Sequence, residues 1–388
     1  MRLIHTSDWH LGRGLHGADL LEQQAAFLGW LRAPAVDRAV DAVVVAGDVY
    51  DRAVPSTDAV QLLNDTLVGF ARDGIPVVLT SGNHDSAVRL GFGSGLVEAA
   101  GVHVRTRVSD LLRPVLFTDE HGEVAVYGLP YLLPDAVMQE LAAERSHRSV
   151  MAVALQRVRE DAAARGVART VVVAHAFVTG GVACDSERDL RVGGIGDVPA
   201  PVFDGVTYVA LGHLHGPQSM AIEGSDTVLR YSGSPLAFSF SERDHVKAVT
   251  LVEFDATGVA GTEQLPVPVP RPLREVRGRL DDLLARAGTE LAGLADAWVK
   301  VVLTDRARPA SPMERLREVW PHTLVLDFVP EGGLVDSGTD LRRLAATVDP
   351  VEICGLFVEF VDAGPPGDAE RRVLRDVVET VQQAEVGA

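Results

Sequence analysis

The chain has 388 residues, 47% of them hydrophobic and 23% charged, which at roughly 100–200 residues per domain predicts two or three domains with cores of their own and excludes a small stapled scaffold or a disordered chain. The formal net charge is −18, from 36 Lys and Arg against 54 Asp and Glu, which argues against wrapping nucleic acid by general electrostatics but leaves phosphate chemistry open, because metal ions supply positive charge locally. Two cysteines, Cys184 and Cys354, make no disulfide framework, and neither a run of about 18 apolar residues nor a signal-peptide core is present, so a soluble cytoplasmic chain with no membrane span is expected.

Apolar runs that end in polar residues and glycine open the chain: RLIHTS at 2–7, DAVVVAG at 41–47 and IPVVLTSG at 75–82. Buried parallel strands meet functional loops in this way in α/β proteins. Helical patterns at 18–40 and 56–73 separate them. After residue 100 the strands are closer together (VHVRT, PVLF, EVAVYGLP), and a helix of about 18 residues then runs to Gly166. TVVVAHA, VTYVALGH, TVLRYSGSP and VKAVTLVEF follow as further strands.

The tract PVPVPRP at 266–272 forbids a central strand or a helix interior and marks a linker. It divides a large α/β domain at 1–265 from a small α/β domain at 273–335 and a tail at 336–388. The small domain reads strand, helix, strand, helix, strand: REVRG, LDDLLARAG, AWVKVVLTD, SPMERLREVW and TLVLDFV. Its second helix carries a capping-box pattern, with Ser311 as N-cap, Pro312 at the first helical position and Glu314 three residues on. Residues 271–317 hold ten Lys and Arg against seven Asp and Glu, a basic excess in an acidic chain. In the tail a loop at 363–368 precedes a helix at 368–385, on which Val373, Leu374, Val377, Val378 and Val381 share one face.

Five short motifs lie in order at predicted strand ends: Asp8-Trp9-His10, Gly47-Asp48 with Asp51, Gly82-Asn83-His84-Asp85, His175 after VVVA, and Gly212-His213-Leu214-His215. Alone, each has a bland structural reading. Together they bring oxygen and imidazole donors to the loop edge of one sheet. Carboxylate, amide oxygen and imidazole suit borderline divalent ions such as Mn²⁺, Fe²⁺ or Zn²⁺, and the absence of thiolate argues against a structural zinc site. The donors suffice for two ions, and a two-metal site needs a bridging ligand, for which Asp48 is the candidate because a carboxylate has two oxygens to share.

These five motifs resemble those of the calcineurin-like metallophosphoesterase superfamily, whose fold is a β-sandwich flanked by helices. The resemblance implies that Asp8, His10, Asp48 and His215 hold one ion and that Asp48, Asn83, His175 and His213 hold the other. It implies that His84 contacts the scissile phosphate or protonates the leaving oxygen, with Asp85 orienting its ring. The segments SDWHLGR at 7–13, GDVYDR at 47–52, SGNHD at 81–85, CDSERDLRVGG at 184–194, ALGHLH at 210–215, YSGSP at 231–235 and FSE at 240–242 are similar to one branch of it, the SbcD-type nuclease subunits. Asp51 stands where archaeal and eukaryotic relatives place a histidine, and is expected to hydrogen-bond a metal ligand.

What that branch implies is hydrolysis of DNA phosphodiesters with two ions, Mn²⁺ foremost, at DNA ends and hairpins in repair and recombination. It also implies an α/β capping domain and a C-terminal helical tail that docks on the coiled coil of an SbcC-type ATPase, within a heterotetramer built on a homodimer of the nuclease. Arg13, Arg52 and Arg89 are candidate phosphate contacts. The alternative is a metallophosphatase or small-molecule phosphodiesterase with the same ligands; GDVYDR also resembles a phosphoprotein phosphatase motif, whereas the second domain and tail favour the nuclease.

Overall fold

The computed structural model describes residues 1–187, 196–331, 349–362 and 365–386. The chain divides into two units, Met1–Pro270 and Arg271–Ala388.

In the first unit β1 (Arg2–Thr6) is followed by a small hairpin of β2 (Gly14–Leu15) and β3 (Ala18–Asp19). Parallel strands β4 (Ala42–Ala46), β5 (Val77–Thr80) and β6 (Val102–Arg105) extend from β1. A second six-stranded sheet comprises β7 (Val115–Asp119), β8 (Gly122–Gly128), β9 (Arg169–His175), β10 (Tyr208–Gly212), β11 (Gln218–Met220) and β12 (Val228–Tyr231), in the order β11-β12-β10-β9-β8-β7. The chain then returns to the first sheet, where β13 (Ala248–Phe254) pairs antiparallel with β1 and β14 (Val259–Pro266) forms the edge. Pro266 is tolerated there because it ends an edge strand, where no central ladder bond is lost.

Strand alternation makes the layers. In the fully buried β4, Val44 and Ala46 pack between the sheets with Leu3, Val78, Val126, Val171, Val173 and Ala210. Val43 and Val45 face the other way, toward Phe27, Leu31, Leu63 and Phe70 of the helices Leu21–Asp37 and Thr57–Asp73. A period of two therefore buries both faces of one strand. The second sheet is covered by Leu141, Val150, Met151, Leu155 and Val158 of the helices Pro134–Leu141 and His147–Arg165. The helix Thr57–Asp73 is bounded by its local chemistry: Ser56 Oγ accepts from the Ala59 N–H, and Gly74 closes the other end with φ of 71°, a conformation glycine adopts without strain.

The second unit contains a parallel three-stranded sheet, β15 (Leu273–Gly278), β16 (Trp298–Leu303) and β17 (Thr323–Phe328), on which Leu280, Leu283, Leu316 and Trp320 pack. The helix Pro312–Val319 begins where expected, but Ser311 does not cap it. Ser311 has φ 44° and ψ 46° and its side chain makes no cap hydrogen bond. A capping hydroxyl reaches the helix N–H groups from an extended N-cap, and the left-handed turn removes that approach. Beyond lie the helices Pro350–Asp362 and Asp368–Val386. In the second, Val373, Val377 and Val381 are more than half exposed, while Leu374 and Val378 are half-buried. The expected segment CDSERDLRVGG lies outside the described residues from residue 188 on, as do residues 363 and 364 of the expected tail loop and residues 336–348. Among the described residues no helix is long and apolar enough to cross a membrane.

Candidate metal centre

All five motifs sit at the C-terminal ends of central strands, from both sheets. Asp8 and His10 follow β1, Asp48 follows β4, Asn83 and His84 follow β5, His175 ends β9, and His213 and His215 follow β10. Main-chain bonds lock the first two loops together: Asp8 N–H donates to Gly47 O at 3.1 Å and His10 N–H to Asp48 O at 2.9 Å. Between Asp8 and His10, Trp9 points the opposite way, fully buried, its Nε1 donating to Thr6 Oγ1 and its ring edge-on to Phe27. One motif thus serves both the core and the site.

The loops are drawn tight. Asp8, His10, Asp48 and His213 have φ of 52°, 43°, 47° and 111°, a region non-glycine residues rarely enter and which functional sites hold against strain. A Cβ on Gly82 would stand 2.1 Å from Asp48 Oδ1, and one on Gly212 would stand 1.8 Å from Ala46 O. Only glycine permits those approaches.

Donor atoms of Asp8, His10 and His215 lie within 4.8 Å of one another, as do those of Asp8, Asp48 and His175, and those of His10, Asp48 and His84. His213 joins none of these three groups, although its ring stands edge-on to His175 at 5.4 Å. Asn83 Oδ1 lies 2.9 Å from His175 Nε2.

The chemistry of these donors fits cations. His175 Nδ1 donates to Ala46 O at 3.0 Å, which turns the Nε2 lone pair of the neutral ring toward Asn83 Oδ1 and toward Asp48 Oδ2 at 3.5 Å. Acceptors that face acceptors in a buried place need a cation between them. His10 Nε2 and His215 Nε2 face each other at 3.1 Å, and His10 Nδ1 is buried without a partner. Burial, and then the charge of Asp48, raises the Asp8 carboxyl well above the usual carboxylate range. Burial, reinforced by neighbouring imidazoles, holds His10 and His213 well below the usual range for histidine. Among the described residues neither Lys nor Arg pairs with Asp8 or Asp48.

Two expected roles change. His84 is oriented by the main chain: its Nδ1 donates to Asp51 O at 2.8 Å. Asp85 does not orient that ring. Its carboxylate accepts from the N–H groups of Val49, Tyr50 and Gly82 at 2.9–3.0 Å, stitching the β4 and β5 loops together. Burial, and next the Asp48 charge, pushes Asp85 up to about 7. The Asp51 side chain makes no hydrogen bond to a candidate ligand, its Oδ1 standing 3.6 Å from His10 Nδ1, because the loop presents its carbonyl instead.

The arginines divide. Arg13 lies over the Phe238 ring at 4.8 Å and donates through Nη2 to Ser186 O at 2.7 Å, with Nη1 buried and unpartnered. Arg52 is exposed, and Arg89 donates to Ala53 O. Sequence reasoning assigned no role to Ser186, Phe238, Glu242 or Lys247, which surround His215 and Arg13. Ser186 and Glu242 lie within the segments CDSERDLRVGG and FSE that the sequence singles out, but their pairing with Lys247 and His215 joins parts of the chain that only the fold brings together.

The calcineurin-like phosphoesterase family profile matches residues 1–217, and the profile described as type 5 capsule protein repressor C-terminal domain matches residues 269–360. A curated relative, the SbcD subunit of the nuclease SbcCD from Staphylococcus saprophyticus, is 32% identical over 334 residues, 84% of each chain. Among solved structures, a dimetal phosphatase from Danio rerio aligns at 13% identity with TM-score 0.45, over 69% of this chain and 99% of that one. The calcineurin-like phosphoesterase YfkN from Bacillus subtilis aligns at 13% identity with TM-score 0.39, over 84% of this chain and 97% of that one. The first profile spans more than half of the chain, and the curated relative aligns along most of both sequences, so the chain belongs to the calcineurin-like phosphoesterase family, in its SbcD branch of metal-dependent nucleases.

Proposed function

We propose that the chain hydrolyses DNA phosphodiesters at ends and hairpins, as the nuclease subunit of an SbcCD-type complex in the cytoplasm, with two divalent ions of which Mn²⁺ is foremost. The observation that carries this reading is the convergence of Asp8, His10, Asp48, His175 and His215 on one edge of the sandwich with lone pairs facing lone pairs. Asp8, His10, Asp48 and His215 would hold one ion; Asp48, Asn83, His175 and His213 would hold the other. Such ions, when bound, supply Lewis acidity toward a phosphoryl oxygen and lower the pKa of water.

The residues of the chain do the positioning. His84 is fixed through Nδ1 by the Asp51 carbonyl, and its Nε2 is the atom that passes a proton to the leaving oxygen. Asp85 holds the two loops that carry Asp48 and His84 in register. Arg13, stacked over the Phe238 ring beside the site, is the arginine assigned to a phosphate oxygen.

Two further surfaces support the assembly. Val88, Phe92 and Leu96 recur at four-residue intervals, Phe92 91% and Leu96 84% exposed. These exposed apolar side chains, on the one-turn helices Ala87–Leu90 and Ser94–Val97 and the turn between them, mark an interaction surface, and we assign it to a second copy of the chain. The valines of the helix Asp368–Val386 are assigned to the coiled coil of an SbcC-type ATPase. The purified chain with Mn²⁺ is expected to cleave linear DNA and to leave a phosphoserine peptide intact; the reverse preference would establish the phosphatase alternative.

A further inference from the structure

A hydrogen-bonded chain runs away from His215 on the side opposite the other candidate ligands. His215 Nδ1 meets Ser186 Oγ at 2.7 Å, and Ser186 Oγ meets Glu242 Oε1 at 2.7 Å. Glu242 is 1% exposed and also accepts from the N–H groups of Phe238 and Ser239, both at 2.9 Å. Its second oxygen pairs with the Lys247 ammonium, which is 4% exposed. That ammonium donates further to Ser234 Oγ at 2.9 Å and to the main-chain oxygen of His215 itself at 3.0 Å. The Ser186 carbonyl receives Arg13 Nη2, and the His215 N–H is held by Glu187 Oε1 at 2.7 Å.

The direction of each bond follows from the ends. A carboxylate paired with an ammonium accepts and cannot donate, so the Ser186 hydroxyl gives its proton to Glu242. Its lone pairs are then left for His215, so His215 carries its proton on Nδ1. The Nε2 lone pair is thereby aimed at His10 Nε2, 3.1 Å away. A buried ion pair is costly to assemble and is weak grounds for stability in itself. This one is joined through a single hydroxyl to a histidine of the candidate metal centre, which gives it a use.

We infer that Ser186, Glu242 and Lys247 are positioning residues that fix the tautomer and ring orientation of His215, and through it the affinity of the centre for its ion. The inference rests on the two-metal reading of the site. Hydrogen bonds to the second nitrogen of a ligating imidazole set both its orientation and its basicity, and their loss typically weakens metal binding by roughly 10- to 100-fold.

The experiment is calorimetric titration of MnCl₂ into the metal-free full-length chain, beside its thermal melt. Ser186→Ala is expected to weaken binding by roughly 10- to 100-fold while the metal-free melting temperature stays near that of the parent, and Ser186→Thr, which restores the hydroxyl, is expected to recover most of the affinity. A purely structural role would lower the melting temperature of the metal-free chain and leave affinity unchanged, which would overturn the inference, as would equal losses in Ser186→Ala and Ser186→Thr. Should Ser186→Ala not fold, the ¹⁵N spectrum of the metal-free parent decides: protonation of His215 at Nδ1 supports the relay and protonation at Nε2 refutes it. A parent chain that binds no Mn²⁺ would overturn the two-metal reading, and the relay with it.

Discussion

Asp48 stands between imidazoles from both halves of the donor set. Its Oδ1 accepts from the His84 N–H at 2.8 Å, while its Oδ2 lies 3.5 Å from His175 Nε2 and 3.6 Å from His10 Nε2. Truncating it to alanine removes an oxygen facing both halves of the donor set, whereas loss of a peripheral ligand would weaken one. Asp48→Ala is therefore expected to abolish Mn²⁺ binding and nuclease activity together, and full metal occupancy in a calorimetric titration would refute the shared role. His84→Gln separates a different pair of properties. The variant is expected to keep both ions and to bind DNA while turnover falls by about 10² to 10⁴. Loss of metal would make His84 a ligand, which its place within 4.8 Å of His10 and Asp48 donors leaves open to chemistry. The identity of these donors was legible in the sequence because each motif ends an apolar strand. Their left-handed backbones were not, since Asp8, His10 and Asp48 are held there by cross-loop bonds that no local pattern announces. Nor was the stitching by Asp85, because a side chain adjacent to His84 in sequence need not touch its ring.

At the level of elements, the two sheets are joined by a polar contact as well as by valines. His5 on β1 reaches across to β10, donating through Nε2 to Leu211 O at 3.2 Å and accepting through Nδ1 from the Tyr208 hydroxyl at 2.9 Å. Burial, opposed by the bond to Leu211 and aided by Arg230, lowers its pKa from 6.5 to about 3. The folded chain thus keeps this ring neutral where the unfolded chain protonates it. The stability it contributes is present above pH 6.5 and is lost as pH falls toward about 3, with a slope of at most about 1.4 kcal/mol per pH unit. Urea unfolding of the metal-free chain and of His5→Gln across this window is expected to give a shallower pH dependence for the variant; equal slopes would show that His5 is not the group concerned. Strand and helix identities were legible from apolar runs and breakers. The Ser311 cap was not, because the pattern Ser-Pro-x-Glu specifies composition at a helix start and leaves the N-cap dihedral to the preceding loop.

At the scale of the whole molecule, two exposed apolar surfaces lie outside the site, at Val88, Phe92 and Leu96 and at Val373, Val377 and Val381. Phe92→Asp with Leu96→Asp is expected to turn a dimer into a monomer in sedimentation, with Mn²⁺ binding retained; an unchanged mass would remove the homodimer face. The tail poses the larger question, because a valine-rich helix following a proline and glycine break could cover its own unit or receive another chain. Val373, Val377 and Val381 keep more than half of their surface exposed, which favours a face reserved for a partner helix. Every candidate ligand lies at or before His215, so deletion of residues 363–388 is expected to leave metal-dependent cleavage of short single-stranded DNA intact. With the ATPase present, the same deletion is expected to abolish ATP-dependent processing of duplex ends, since the motor is no longer tethered to the nuclease. If the valines instead served their own unit, the truncated chain would melt at a lower temperature and still co-purify with the ATPase. Co-purification and melting measured on one preparation separate these outcomes, and retained partner binding would remove the docking role from this helix.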